Sequence, residues 1–238
     1  MKALDLFCGR GGWTKGLQAA GFDCTGIDLE PQPDYPGRFI QADICKVNGR
    51  DFQGFDVVVA SPPCQGFSLM NRQVLEGMRP NPLDVRLVLE ALRVIGEAAP
   101  RFWAMENVRG ALGYFRPLVG EPTLKKRPWF VWGNFPPFLV GKTNLDKFGG
   151  TLIRGKYLPE DKKRWANAPK RQKAALSAEI PAELAFPFAK ACADALVVPC
   201  GNLGESNPFM CRKGCSAGFA EKANRDRHER DCKLEAKT

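Results

Sequence analysis

Histidine is nearly missing from this sequence: His228 is the only one in 238 residues. A Ser-His-Asp triad and an HExxH zinc site both need histidine on the main fold, so neither is the principal chemistry. Long apolar runs are missing too, with no stretch near the roughly 18 residues that a membrane-spanning helix requires. The opening Met1-Lys2-Ala3-Leu4-Asp5-Leu6-Phe7 carries an acid inside its apolar run and passes straight into glycines, unlike a secretory leader. A cytoplasmic chain without membrane contact is expected. Acidic residues are in deficit: 35 Lys and Arg against 26 Asp and Glu leave a net charge of +9, which favours a polyanionic partner through counterion release. Cysteine is not scarce, but nine is an odd number. Dispersed thiols without an export signal argue against a disulfide framework and for reduced thiols, metal ligands or a nucleophile.

What is present reads as one substantial core with a small appendage. Short apolar runs at Lys2–Phe7, Cys24–Ile27, Phe55–Ala60 and Phe102–Met105 alternate with polar or helix-patterned stretches. Leu83–Ala98 has helical apolar spacing between Pro82 and Pro100. Strands alternating with helices predict an α/β fold, a doubly wound and mostly parallel sheet. Ligands bind beyond the carboxyl ends of such strands, and there fall the glycines after Phe7, then Asp28, Cys64 and Glu106. Residues 109–175 are rich in Pro, Gly, Lys, Arg and Trp, with a strand-like Trp129–Trp132. A helical stretch follows Pro181 to near Val198, interrupted or kinked at Pro187.

Asp5-Leu6-Phe7-Cys8-Gly9-Arg10-Gly11-Gly12 follows one strand and opens a helix, a place where glycines let backbone approach a nucleoside closely. Asp28 ends the next strand, placed to bind ribose hydroxyls. Asp43 ends a third short strand, placed to accept from an adenine amino group. A glycine turn with two capping acids is the plainer alternative. Ala60-Ser61-Pro62-Pro63-Cys64-Gln65-Gly66-Phe67-Ser68 sets a thiol on a proline-stiffened loop rather than within a strand, which favours reactivity over a structural role. Glu106 in Met105-Glu106-Asn107-Val108 ends the following strand, near Cys64 if the strands are adjacent. It suits a base-binding pocket, or merely caps a helix.

DLFCGRGG, SPPCQGFS and ENV, in this order and spacing, resemble motifs I, IV and VI of the cytosine-5 DNA methyltransferases, over residues 3 to about 110. The resemblance implies a Rossmann-like class I fold that binds S-adenosylmethionine, with Phe7, Gly9, Gly11, Asp28, Asp43 and Pro62 around the cofactor. It implies that Cys64 attacks carbon-6 of cytosine while Glu106 holds ring nitrogen-3, so that carbon-5 takes the methyl group. Gly66–Pro80, with Arg72 and Arg79, looks like the loop that closes over substrate. Arg127, in Lys125-Lys126-Arg127-Pro128, stands where the family has Gln-x-Arg-x-Arg, a pattern not kept here; it is the candidate for contacting base or phosphate, against a plain basic surface run. Residues 1–198 form the expected methyltransferase domain, with 109–175 as a reduced target-recognition region. DNA is the expected partner of a monomeric chain; RNA on the same scaffold and a non-catalytic DNA-binding protein are the alternatives.

The tail from Pro199 turns polar and basic and holds four of the nine cysteines. Cys211-x₃-Cys215, twelve residues, then His228-x₃-Cys232, flanked by Phe209 and Phe219, have zinc-finger spacing and resemble the ββα finger family, with Cys for the last His. Arg225 replaces the core leucine of such fingers. A module at 207–238 with one structural zinc on Cys211, Cys215, His228 and Cys232 is expected; incidental thiols in a tail are the alternative.

Overall fold

The computed structural model describes residues 1–67, 82–126, 129–140 and 180–197. Seven strands form one sheet: β1 (Lys2–Leu6), β2 (Asp23–Asp28), β3 (Arg38–Gln41), β4 (Val57–Ala60), β5 (Phe102–Val108), β6 (Leu124–Lys126) and β7 (Trp129–Asn134). Their order is β3-β2-β1-β4-β5-β7-β6. The first five are parallel, and β7 lies antiparallel between β5 and β6. The chain reverses direction between β3 and β4, on either side of β1, which leaves a crevice at the carboxyl ends of β1 and β4.

Both faces of the central strands are covered, which is why β1 and β4 read as near-continuous apolar runs. Alternate residues serve opposite layers. Leu4, Leu6, Val58, Ala60 and Met105 pack with α2 (Pro82–Ala98) and with Phe115 of α3 (Leu112–Val119). Ala3, Val57, Val59 and Ala104 pack with α1 (Gly12–Ala19) and α4 (Ala182–Val197). Among the described residues no helix is long and apolar enough to cross a membrane.

Three sequence expectations are corrected and one, the Trp129–Trp132 strand, is extended. The third strand stops at Gln41, and Asp43 instead caps a 3₁₀ turn at Ile44–Lys46. Glu106 lies within β5, two residues short of its end. The Trp129–Trp132 strand runs on to Asn134 and is antiparallel. Helix α4 runs unbroken through Pro187, because buried Leu184, Ala185, Phe188, Ala189 and Cys192 anchor it on both sides of the proline. Arg127, the 68–80 part of the expected closing loop and the whole 207–238 module lie outside the described residues.

Candidate active site

The loop between β1 and α1 is built on left-handed backbone. Phe7 (φ 58°), Gly9 (φ 46°) and Gly11 (φ 77°) all adopt it. For Phe7 this costs conformational energy of the kind that accumulates at functional sites. The loop is tied to the end of β2 by the Cys8 N–H donating to the Ile27 carbonyl (3.1 Å) and the Gly9 N–H donating to Asp28 Oδ2 (2.9 Å). The other Asp28 oxygen accepts from the Glu30 N–H at 3.0 Å. Gly11 caps α1, and a Cβ there would meet Pro36 Cδ at 2.7 Å.

Two cavities open at these strand ends. The first, about 300 Å³, is lined by Phe7, Asp28, Glu30 and Asp43 on one side and by Ser61 and Leu87 on the other. The second, about 150 Å³, is lined by Gly9, Arg10, Trp13, Pro62, Cys64 and Glu106, with Ile180 from the segment that enters α4. Phe7, Ser61, Pro63 and Gln65 belong to both walls. Five of the six expected cofactor residues therefore line this crevice. The sixth, Gly11, lines neither cavity and acts on the backbone alone. Asp43 is held below the usual carboxylate range by the Cys45 N–H that it accepts at 3.0 Å.

Cys64 and Glu106 meet as the motif spacing predicted. Strands β4 and β5 pair in register, Ala60 opposite Met105. The chain leaving β4 through Ser61-Pro62-Pro63 thus passes over Glu106, and both side chains line the second cavity. Fully buried Asn107 pins the turn: its Nδ2 donates to the Pro62 carbonyl at 3.1 Å, and its Oδ1 accepts from the Val108 N–H at 2.9 Å. The Cys64 side chain is half-buried rather than entombed. Burial pushes its thiol up to about 11, reinforced by the charge of Glu106. Burial likewise raises the Glu106 carboxyl to about 8, opposed only by a hydrogen bond from the Ser61 hydroxyl. Trp13 Nε1 donates to Ser61 Oγ at 3.0 Å, which leaves the Ser61 hydrogen for Glu106. Near neutral pH the cleft thus holds a neutral carboxylic acid, able to donate a hydrogen bond, beside a thiol still carrying its proton.

A second polar chain supports the loop from below. Thr14 Oγ1 donates to Asp5 Oδ2 at 2.7 Å, so the Tyr35 hydroxyl, 2.5 Å from the same oxygen, donates to Thr14. Burial raises the Asp5 carboxyl to about 8. The Tyr35 ring lies over Gly26, where a Cβ would come within 2.3 Å of Cζ. Sequence reasoning assigned no role to Trp13, Ser61, Asn107, Arg10 or Tyr35. Arg10, Ser61 and Asn107 carried a signal only as members of the DLFCGRGG, SPPCQGFS and ENV motifs.

Residues 1–115 match the family described as C-5 cytosine-specific DNA methylase. Among curated proteins, the chain is 36% identical to the type II methyltransferase M.AquIA of Picosynechococcus sp. over 48% of this chain and 50% of that protein. It is 32% identical to M.XorII of Xanthomonas oryzae pv. oryzae over 50% of this chain and 31% of that protein. The chain thus spans half or less of the length of these relatives, and the family match over residues 1–115 takes in the glycine loop, Cys64 and Glu106. Among solved structures, a proposed DNA modification methyltransferase encoded within an E. coli prophage is 21% identical, with a TM-score of 0.42 over 56% of this chain and 46% of that one, too slight a likeness to build on.

Proposed function

We propose that this chain transfers a methyl group from S-adenosylmethionine to carbon-5 of cytosine in DNA, with Cys64 as covalent nucleophile and Glu106 as the group that binds and protonates the ring. The carrying observation is that Cys64 and Glu106 line one cavity adjoining another walled by Asp28 and Asp43. The donor set fits the cofactor: carboxylates of Asp28 and Glu30 for ribose hydroxyls, Asp43 for an adenine amino group, and the Phe7 ring for an apolar wall. When bound, S-adenosylmethionine supplies an electrophilic methyl group.

Cytosine is a weak carbon nucleophile, and this chain's residues change that. The Cys64 thiolate adds to carbon-6, forming the S–C6 bond as ring electrons move toward nitrogen-3. Glu106 in its neutral form donates its proton there. Carbon-5 becomes the nucleophilic end of an enamine. After carbon-5 is methylated, nitrogen-3 returns its proton to Glu106, and loss of the carbon-5 proton to solvent restores the C5=C6 bond and expels the Cys64 thiolate. A thiol raised to about 11 at rest is not preactivated. Glu106 is already neutral near pH 7, so no anionic neighbour opposes the thiolate, and the thiol proton passes to solvent as the S–C6 bond forms. A base in a duplex has to leave its stack to reach this position.

In the same reading Arg127 contacts the base or its phosphate, and 109–175 serves as a reduced target-recognition region. Cys211, Cys215, His228 and Cys232 would hold one structural zinc through three thiolates and one imidazole, and the 207–238 module would add DNA contacts.

Trapping on a duplex carrying 5-fluorocytosine tests the reaction, because fluorine at carbon-5 cannot leave as a proton. A covalent adduct that requires S-adenosylmethionine and disappears in Cys64→Ser is expected. No adduct with the unaltered chain on DNA, or one that survives Cys64→Ser, overturns the proposal; an adduct on RNA alone moves the substrate to RNA.

A further inference from the structure

Arg10 is an odd residue in its surroundings. Among the described residues lining the two cavities it is the one cation. Asp5 and Glu106 share its cavity, and Asp28, Glu30 and Asp43 line the adjoining one. The Arg10 Nε is buried and has no hydrogen-bond partner, an arrangement proteins seldom leave uncompensated. Its guanidinium reaches Asp34 at 4.0 Å, but that carboxylate is 78% exposed, so the pair holds it weakly.

A donor molecule with a sulfonium, an ammonium and ribose hydroxyls gains from such an acidic crevice. Its carboxylate does not, because the carboxylates of Asp28, Glu30 and Asp43 repel it. The remedy lies on the wall of the second cavity. Gly12 begins α1 there, so the first-turn amides and positive end of that helix face the same space as the Arg10 side chain. A nucleoside anchored at Asp28 and Asp43 in the first cavity directs its tail past Phe7 and Ser61, which both cavities share, toward Arg10.

We propose that Arg10 binds the α-carboxylate of the methionine tail of S-adenosylmethionine and S-adenosylhomocysteine, its planar fork satisfying the buried donor only when that carboxylate is in place. This rests on the reading of the crevice as the donor's site, and the test separates the two ideas.

Isothermal titration of the full chain compares S-adenosylhomocysteine with its decarboxylated analogue, S-adenosyl-3-thiopropylamine, which keeps the amine and loses only the carboxylate. Arg10→Ala is expected to weaken S-adenosylhomocysteine binding roughly 10- to 100-fold, the scale of a charge-assisted pair. The same substitution should leave the analogue within about two-fold, and that retained binding also reports an intact fold. Arg10→Lys recovers part of the loss. An equal loss for both ligands, or no loss for either, overturns the assignment. Failure of the unaltered chain to bind either ligand removes the donor site itself, and this proposal with it.

Discussion

Gly16 sits in α1 where α4 crosses it. A Cβ there would lie 2.5 Å from both Cβ and the carbonyl carbon of Ala185 and 2.7 Å from the Phe186 nitrogen. Ordinary carbon contacts are about 3.5–4.0 Å, so Gly16→Ala forces the helices apart by about an ångström. In an open helix interior Gly→Ala gains about 1 kcal/mol. Overpacking of a tight contact costs about 1–3 kcal/mol, toward the upper end here because two of the three opposing atoms are backbone and cannot swing away. The net expectation is a loss of about 1–2 kcal/mol, a fall in Tm of about 2–8 °C for a chain of this size. Urea unfolding followed by far-UV circular dichroism reads it as a lower midpoint at unchanged slope. Gly96, in α2 and with nothing within 4 Å of its Cβ position, is the matched control and should gain stability on the same substitution. Gly16→Ala as stabilising as Gly96→Ala would refute the reasoning. Because Ile180, just before α4, lines the second cavity, Gly16→Ala should also slow methyl transfer.

Ser61→Ala removes the hydroxyl that favours the charged form of Glu106, so the carboxyl should rise above about 8. The alkaline limb of a single-turnover pH–rate profile then moves upward; a limb that stays or moves down contradicts the Trp13–Ser61–Glu106 relay. Asp5 and Glu106 both sit near 8 in the folded chain, against ordinary values of 3.8 and 4.5. For a carboxyl with a raised folded value, the unfolded chain gains by ionising first. Their stabilising contribution is therefore full below about pH 4 and is lost as pH rises through 8. The urea midpoint should be higher at pH 5.5 than at pH 8.5, and in Asp5→Asn the difference should shrink; a midpoint that rises with pH counts against both buried neutral carboxyls.

The parallel core was legible because strands covered on both faces must be apolar throughout, as Val57-Val58-Val59 is. Cys64 and Glu106 were legible because motif chemistry coincided with strand ends. What escaped the sequence was whatever depends on contacts distant along the chain. The Trp13–Ser61 hydrogen bond spans 48 positions, and no local pattern announces it. Asp28 was read as a ligand-binding or a capping acid, but the sequence did not say which amides its oxygens accept, those of Gly9 and Glu30. Local propensity misjudged Pro187, where tertiary packing outweighs the lost helix bond. The short β6 and the Pro117-containing α3 gave no periodic signal of their own.

Helix α4 has a bearing on how the chain is made. It covers α1, with roughly 160 residues between them. During synthesis Trp13 and Leu17 wait for a partner that emerges roughly 160 residues later, so a nascent chain that already has its central strands still shows an oily layer to chaperones and to other chains. Shortening the chain from its far end should accordingly be abrupt in effect: loss of residues 180–197 strips one side of the sheet and one wall of the cleft together.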